Sequence, residues 1–274
     1  MGGRISKRGL NWQVTIELGK DEYGKRIRKF ITANTKGEAE KILTEYKHKI
    51  VVGEFVETCK MTFAEFLKHW IDHYVDKNCE LTTKAGYELI INKHVIPFLG
   101  KIPLQKLSPL HIQEYYKHLI DEKGLSPNTV RRHHANIRKA LDYACDKQLV
   151  NKNVADRVDL PKINQFEGAY YDDKQVCKLL QVIKDDEIEV AINLAAYLGL
   201  RRGEISGLKW KYVDLEKQTI EIKETRTRVS GQLITKSPKT KKSQRILYLT
   251  DELVELLKEH KEKQKQYKAM FGKE

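Results

Sequence analysis

The sequence predicts a multidomain α+β protein: a small N-terminal three-stranded sheet plus helix, then a helical bundle, then a mixed α/β region that is mainly helical. Three observations carry that prediction. Apolar residues alternate with period two near the N-terminus, and they recur at helical spacing from about residue 60 to 161. A polar stretch over 151–168, containing Pro161 and Gly168, then precedes a fresh helix start. The expected domains are 1–56, 60–161 and 169–274.

In the first segment Trp12, Val14, Ile16 and Leu18 point one way and Gln13, Thr15 and Glu17 the other, as a half-buried strand requires. A turn-rich stretch over 19–24 leads into a strand over 25–32, where Ile27 and Ile31 lie opposite Arg26 and Arg28. Residues 2–7 supply a third strand. Thr35 then caps a helix carrying Ala39, Ile42, Leu43, Tyr46 and Ile50 at helical spacing. This arrangement turns Arg4, Lys7, Arg26 and Arg28 outward, either as a solvated face or as one shaped for a major groove.

The second segment is helical throughout. Thr62 starts an amphipathic helix with Phe63, Phe66, Leu67, Trp70, Ile71 and Tyr74 on its stripe, and a second helix over 81–95 ends before Pro97 and Gly100. Ser108-Pro109 and Ser126-Pro127 open two more, with proline at the first helical position, where its missing N–H costs nothing. The last of these turns Val130, Ile137, Leu141 and Ala144 inward, while Arg131, Arg132, His134, Arg138 and Lys139 lie mostly on other faces. Four or five helices in about 100 residues bury a core of their own. His133 and His134 have no acid or cysteine at ligand spacing, so they read as structural or phosphate-near, not metal-binding.

The third segment restarts at Asp172-x-x-Gln175, a capping box ahead of Val176, Leu179, Leu180 and Ile183. Residues 188–198 are apolar on nearly all sides and predict a buried helix. Strands follow over about 218–225 and 244–249 with a turn at Ser230-Gly231 between them, and a charged helix runs from Asp251 to about Tyr267.

Charge narrows the function classes. Net charge is +13, with 12 basic against 7 acidic residues in 1–56, 16 against 13 in 57–161 and 23 against 18 in 162–274. Every segment is basic, as in a protein lying along a polyanion over its whole length. The cluster Arg131, Arg132, Arg138 and Lys139 then reads as a DNA-backbone surface, with a plain solvated face as the alternative. Cys59, Cys79, Cys145 and Cys177 form no ligand pattern and read as reduced thiols of a cytoplasmic protein. No apolar run is long enough to span a bilayer, and no signal peptide is evident. No metal or cofactor is expected.

The most informative stretch runs from Leu198 through Gly199, Leu200, Arg201, Arg202, Gly203 and Glu204 to Leu208-Lys209-Trp210 and Val213-Asp214-Leu215. A helix ends at Gly199, the chain turns, and a short helix starts near Gly203. This stretch resembles the first catalytic-arginine box of the tyrosine recombinases, the phage integrase family. Downstream, Pro238-Lys239-Thr240 followed by Ser243-Gln244-Arg245 resembles the family's lysine-bearing β-hairpin. The resemblance implies an arm-type DNA-binding domain, a helical core-binding (SAM-like) domain and the front part of the catalytic domain.

In that family a tyrosine hydroxyl attacks a DNA phosphodiester, giving a 3′-phosphotyrosyl link and a 5′-hydroxyl, without metal or cofactor. The resemblance makes Arg201 the arginine on the non-bridging oxygens, because a guanidinium fork stays charged and donates two parallel hydrogen bonds. It makes Lys239 the general acid for the leaving oxygen, although Lys236, Lys241 and Lys242 crowd the same hairpin. By the same resemblance Glu204 holds the acidic position that buttresses the active-site arginines rather than reacting. Arg202 is expected to meet backbone phosphate or solvent, and Lys241 and Lys242 are expected to bind DNA.

Beyond Leu249 the family's His-x-x-Arg helix and its nucleophile are expected, but only His260 and Tyr267 occur, in one lysine- and glutamate-rich helix. They read as a solvated surface, so the chain is expected to stop before its nucleophile and to bind DNA without cleaving it. The resemblance implies double-stranded attachment-site DNA, other protomers in a synaptic tetramer and an excision factor as partners. A DNA-binding or architectural protein without catalysis is the alternative. RNA binding is the weaker third, since no aromatic-rich RNP-like strand is present.

Overall fold

The alternating N-terminal pattern forms a meander of β1 (Gly3–Arg8), β2 (Asn11–Lys20) and β3 (Arg26–Ala33), antiparallel in that order. The computed structural model describes residues 3–20, 26–51, 59–163, 167–238 and 243–272; the side chains of Leu18, Ile27 and Ile50 lie outside that set. The chain divides into two compact units, Met1–Asn164 and Gln165–Glu274.

In the first unit, Val14 and Ile16 pack with Ala33 and Ala39, covered by Ile42, Leu43 and Tyr46 of α1 (Lys36–Val51). Thr35 caps this helix, its Oγ1 accepting the Glu38 N–H at 3.2 Å, while Glu38 accepts the Asn34 N–H at 2.9 Å. One expectation fails on the outer face. Thr15 is buried rather than solvated, because its in-register neighbours are the long side chains of Arg4 and Phe30.

A separate core follows. It is built by α2 (Phe63–Trp70), α3 (Asp76–Asn78), α4 (Leu81–Ile90), α5 (Ile96–Leu99), α6 (Pro109–Asp121) and α7 (Pro127–Asp146). The predicted caps are present: Thr62 with Glu65, Ser108 with His111, and Ser126 with the Thr129 N–H. The predicted stop before Pro97 is not. The helix passes from α4 through a π turn, Ile91–Val95, into α5, with Pro97 in the first turn of the new segment. The wider turn, in which the Ile96 N–H reaches back to the Ile91 carbonyl, accommodates a ring that an unbroken α-helix would reject. A second π turn, Ile71–Val75, joins α2 to α3.

The second unit comprises α8 (Asp173–Val182), α9 (Glu189–Leu198), α10 (Arg202–Gly207), β4 (Val213–Asp214), β5 (Thr219–Ile222), β6 (Thr225–Val229), β7 (Gln232–Lys236), β8 (Arg245–Tyr248) and α11 (Asp251–Phe271). The capping box of α8 forms as expected between Asp172 and Gln175. Its core joins Leu194, Leu200, Ile220 and Ile222 to Leu253, Val254 and Leu257 of α11. Two expectations change here. Helix α9 is only half-buried: Leu194 alone is fully covered, and Tyr197 is 48% exposed. Ser230-Gly231 does not link the two predicted strands but closes a hairpin of its own, β6–β7, with both residues at positive φ as a tight hairpin turn requires. The sheet that does form is β4-β5-β8.

Candidate active site

Helix α9 ends at Gly199 in the left-handed conformation (φ 62°), where its N–H closes the last turn on the Ala195 carbonyl. Leu200 then buries its side chain, and Arg201 is extended immediately before α10. Core packing on one side and a new helix on the other therefore fix the backbone of Arg201.

Glu204, one turn into α10, is 2% exposed and accepts four hydrogen bonds from the described residues. The Arg201 N–H reaches Oε2 at 3.0 Å and the Arg201 Nη1 reaches Oε1 at 3.2 Å. From the entry of β8, Arg245 adds Nη1 to Oε1 at 3.2 Å and Nη2 to Oε2 at 3.0 Å. The Arg245 fork does most to hold the Glu204 carboxyl down to about 2, against the opposing effect of burial. The Arg201 side chain is 76% exposed, so its guanidinium is tethered at the base and open to solvent. Arg202 is exposed beside it.

Close packing seats α10. A Cβ on Gly207 would stand 2.8 Å from the Glu224 carbonyl oxygen and 2.9 Å from the Thr225 Cα, so only glycine lets the helix meet β6 there. Other residues of the box are structural. Trp210 donates Nε1–H to the Gln264 side chain of α11 at 2.7 Å, and Asp214 accepts the Glu216 and Lys217 N–H groups in a turn.

Lys239, Lys241 and Lys242 lie outside the described residues. Arg245 is the member of this cluster that reading the sequence for site residues missed, although its Ser-x-Arg setting was visible. A basic residue at the entry of a strand carries no signal that it turns back onto a buried acid 41 positions earlier.

The remaining basic residues have varied partners. Arg26 and Arg28 stand 3.8 and 3.6 Å from Glu17 on the open face of the sheet, and Arg4 shares that face. Lys7 does not: it has the parity of Gly3, whose Cβ would meet Leu43 of α1, although Lys7 is itself exposed. On α7, the Arg131 Nε donates to the Pro161 carbonyl at 3.0 Å, and Arg138 holds Asp156 at 2.7 Å and Asp142 at 3.8 Å. The Lys139 ammonium lies over the rings of Tyr74 and Tyr87 at 5.5 and 5.6 Å. Arg132 is exposed and makes no ion pair among the described residues.

His133 is buried, shares a 2.7 Å hydrogen bond with the Tyr115 hydroxyl and is pushed down to about 4, chiefly by burial. His134 pairs likewise with Tyr116 at 2.9 Å. His260 and Tyr267 both lie within α11, where His260 bonds to Gln264 and Tyr267 stacks on Phe271. No helix among the described residues is long and apolar enough to cross a membrane.

Residues 62–120 match the phage integrase N-terminal SAM-like domain, and residues 170–271 match the phage integrase family. Over 95% of its length the chain is 28% identical to a tyrosine recombinase XerC-like protein of Caldanaerobacter subterraneus, covering 71% of that protein. Over 93% it is 26% identical to the ICEBs1 integrase of Bacillus subtilis, covering 70%. Among solved structures, the Tn1549 transposon integrase in complex with transposon right end DNA has a TM-score of 0.64 at 23% identity; the match covers 73% of this chain and 64% of that one. A lambda integrase dimer bound to a COC′ core site has a TM-score of 0.52 at 17% identity, covering 65% and 62%. The chain thus spans about 70% of the length of the first two relatives and under two thirds of the two solved chains.

Proposed function

The chain belongs to the phage integrase family of tyrosine recombinases, and from that premise we propose that it binds double-stranded DNA and serves site-specific recombination of a mobile element. The observation that carries this reading is Arg201: an exposed guanidinium anchored at its base by a buried, fully ionised Glu204. Such a group is oriented before an anion arrives, so little reorganisation opposes its stabilising a pentacoordinate phosphate. In this reading Arg201 forks onto the non-bridging oxygens, and Lys239 delivers a proton to the departing 5′-oxygen. Arg202, Arg132 and the sheet face bearing Arg4, Arg26 and Arg28 contact backbone phosphate. Lys7, Arg131, Arg138, Lys139, Lys241 and Lys242 complete the proposed set, and the partners of Arg131, Arg138 and Lys139 must be given up or shared for them to do so. The three segments 1–56, 60–161 and 169–274 divide the work into arm binding, core binding and chemistry.

The reaction needs a tyrosine nucleophile, and Tyr267, held within α11, is not assigned that role. These 274 residues are therefore proposed to bind DNA without forming a phosphotyrosyl link themselves. In the complete reaction they would act in the cytoplasm or nucleoid, with other protomers in a synapse and with an excision factor. The test is a nicked suicide duplex carrying an end of the element. Salt-sensitive binding without a covalent adduct is expected; an adduct at Tyr267 overturns the assignment, and absence of binding overturns the function.

A further inference from the structure

Two arginines from distant parts of the sequence meet at Glu204, and they are used differently. Arg245 gives both terminal nitrogens to the carboxylate, fork to fork, and its Nη1 also donates to the Ser243 carbonyl at 3.2 Å. Arg201 gives one terminal nitrogen and its backbone N–H. Side-chain exposure follows the same division: 29% for Arg245, 76% for Arg201 and 3% for the carboxylate between them. Among the described residues, one negative charge against two positive ones leaves a single excess positive charge, and the exposed member is Arg201.

The geometry points to Arg245 as a positioning residue that satisfies Glu204, so that Glu204 holds Arg201 at its base without drawing the guanidinium inward. This rests on the reading of Arg201 as a phosphate ligand. Without Arg245 the buried carboxylate keeps, among the described residues, the Arg201 guanidinium within reach, and a buried charge that loses a partner recruits the nearest replacement. Arg201 then folds onto Glu204 in the bidentate manner Arg245 had used, and its fork is no longer available to phosphate. Arg245 also opens strand β8, so the same contact ties that strand to the Arg201 turn.

The experiment measures the salt dependence of binding of the full 274-residue chain to a random-sequence duplex of about 30 base pairs, a length that accommodates several phosphate contacts. Each lost phosphate contact lowers the slope of log K against log salt by about 0.9. R201A is expected to lower it by about that amount, R245Q by about the same, and R201A/R245Q by no more than either. E204Q/R245Q is expected to regain the slope, because a neutral amide no longer recruits Arg201. R245K regains it in part, through charge without the fork. Melting temperature does not discriminate, since a merely structural contact would also lower it; the slope does.

A folded R245Q chain with the wild-type slope overturns the inference. So does an additive double variant, which would place Arg245 itself on DNA. Should R201A leave the slope unchanged, the phosphate reading of Arg201 fails first and takes this inference with it.

Discussion

Helix α7 and the turn before α10 both present a run of basic residues, yet the two regions use their charges in opposite ways. On α7, Arg131 is tied to a carbonyl, Arg138 to two aspartates and Lys139 to two tyrosine rings, which leaves Arg132 unengaged among the described residues. At the α10 turn one arginine is committed to a buried acid and so leaves the other open. The density of positive charge along a helix therefore overstates what is free to meet an anion. A buried carboxylate between two guanidiniums, by contrast, marks which of them is free.

The comparison can be broken most sharply at Glu204. Glu204→Leu leaves two partly exposed guanidiniums without their acceptor and is expected to cost about 2–3 kcal/mol, read as a fall in the urea midpoint of the second unit. Gly207→Ala forces a methyl against the β6 backbone and is expected to cost about 1–3 kcal/mol there, with α7 and its neighbours unaffected.

Acid titration separates the two units by order of loss. The folded-state proton affinity of His133 is depressed from its ordinary 6.5 to about 4, because the buried ring resists charging. Stability from keeping it neutral is complete above about pH 6.5 and is lost as pH falls towards 4. Glu204, depressed from 4.5 to about 2, contributes stability that is complete above about pH 4.5 and is lost only between there and pH 2. Emission from buried Trp70 is therefore expected to report weakening of the helical core at higher pH than Trp210 reports it in the second unit. Simultaneous transitions would show that other groups dominate both.

The smallest expected effect is Lys139→Ala. Loss of the cation over Tyr74 and Tyr87 should lower stability by about 0.5–1 kcal/mol. Its effect on DNA binding should be smaller than that of Arg132→Ala, measured on the same duplex.

What the sequence made legible was local. Helix starts at Thr35, Thr62, Ser108, Ser126 and Asp172 are written in the cap residue and its partner three positions on, so each could be placed without knowledge of the fold. The Arg201 turn was legible because glycine, arginine and glutamate lie within six residues. Illegible features depend on distant partners. Arg245 acquires its role only when β8 is laid beside β5, which brings it to Glu204. The half-exposure of α9 depends on how many neighbours it meets, which its apolar composition does not encode. Hairpin β6–β7 was missed because Arg226 and Arg228 alternate with threonines, not with a hydrophobic face. Ser230-Gly231 was recognised as a turn but given the wrong strands to join.

The π turns carry a consequence of their own. Phe63, Leu67, Ile71 and Val75 are all buried at a strict spacing of four, as are Ile91, Val95 and Leu99. An α-helix advances about 100° per residue, so each step of four overshoots a full circle by about 40°, and a long series walks off its own face. The wider turns at Ile71–Val75 and Ile91–Val95 wind the backbone more slowly and take back part of the accumulated rotation, as a vernier resets against its scale. The hydrophobic seam stays straight because the helix is locally unwound. Deleting one residue there would remove the need for the wide turn: Val75 would stand eleven positions after Phe63, about 1,100° of rotation or about 20° past three full circles, and the seam would persist in an ordinary α-helix.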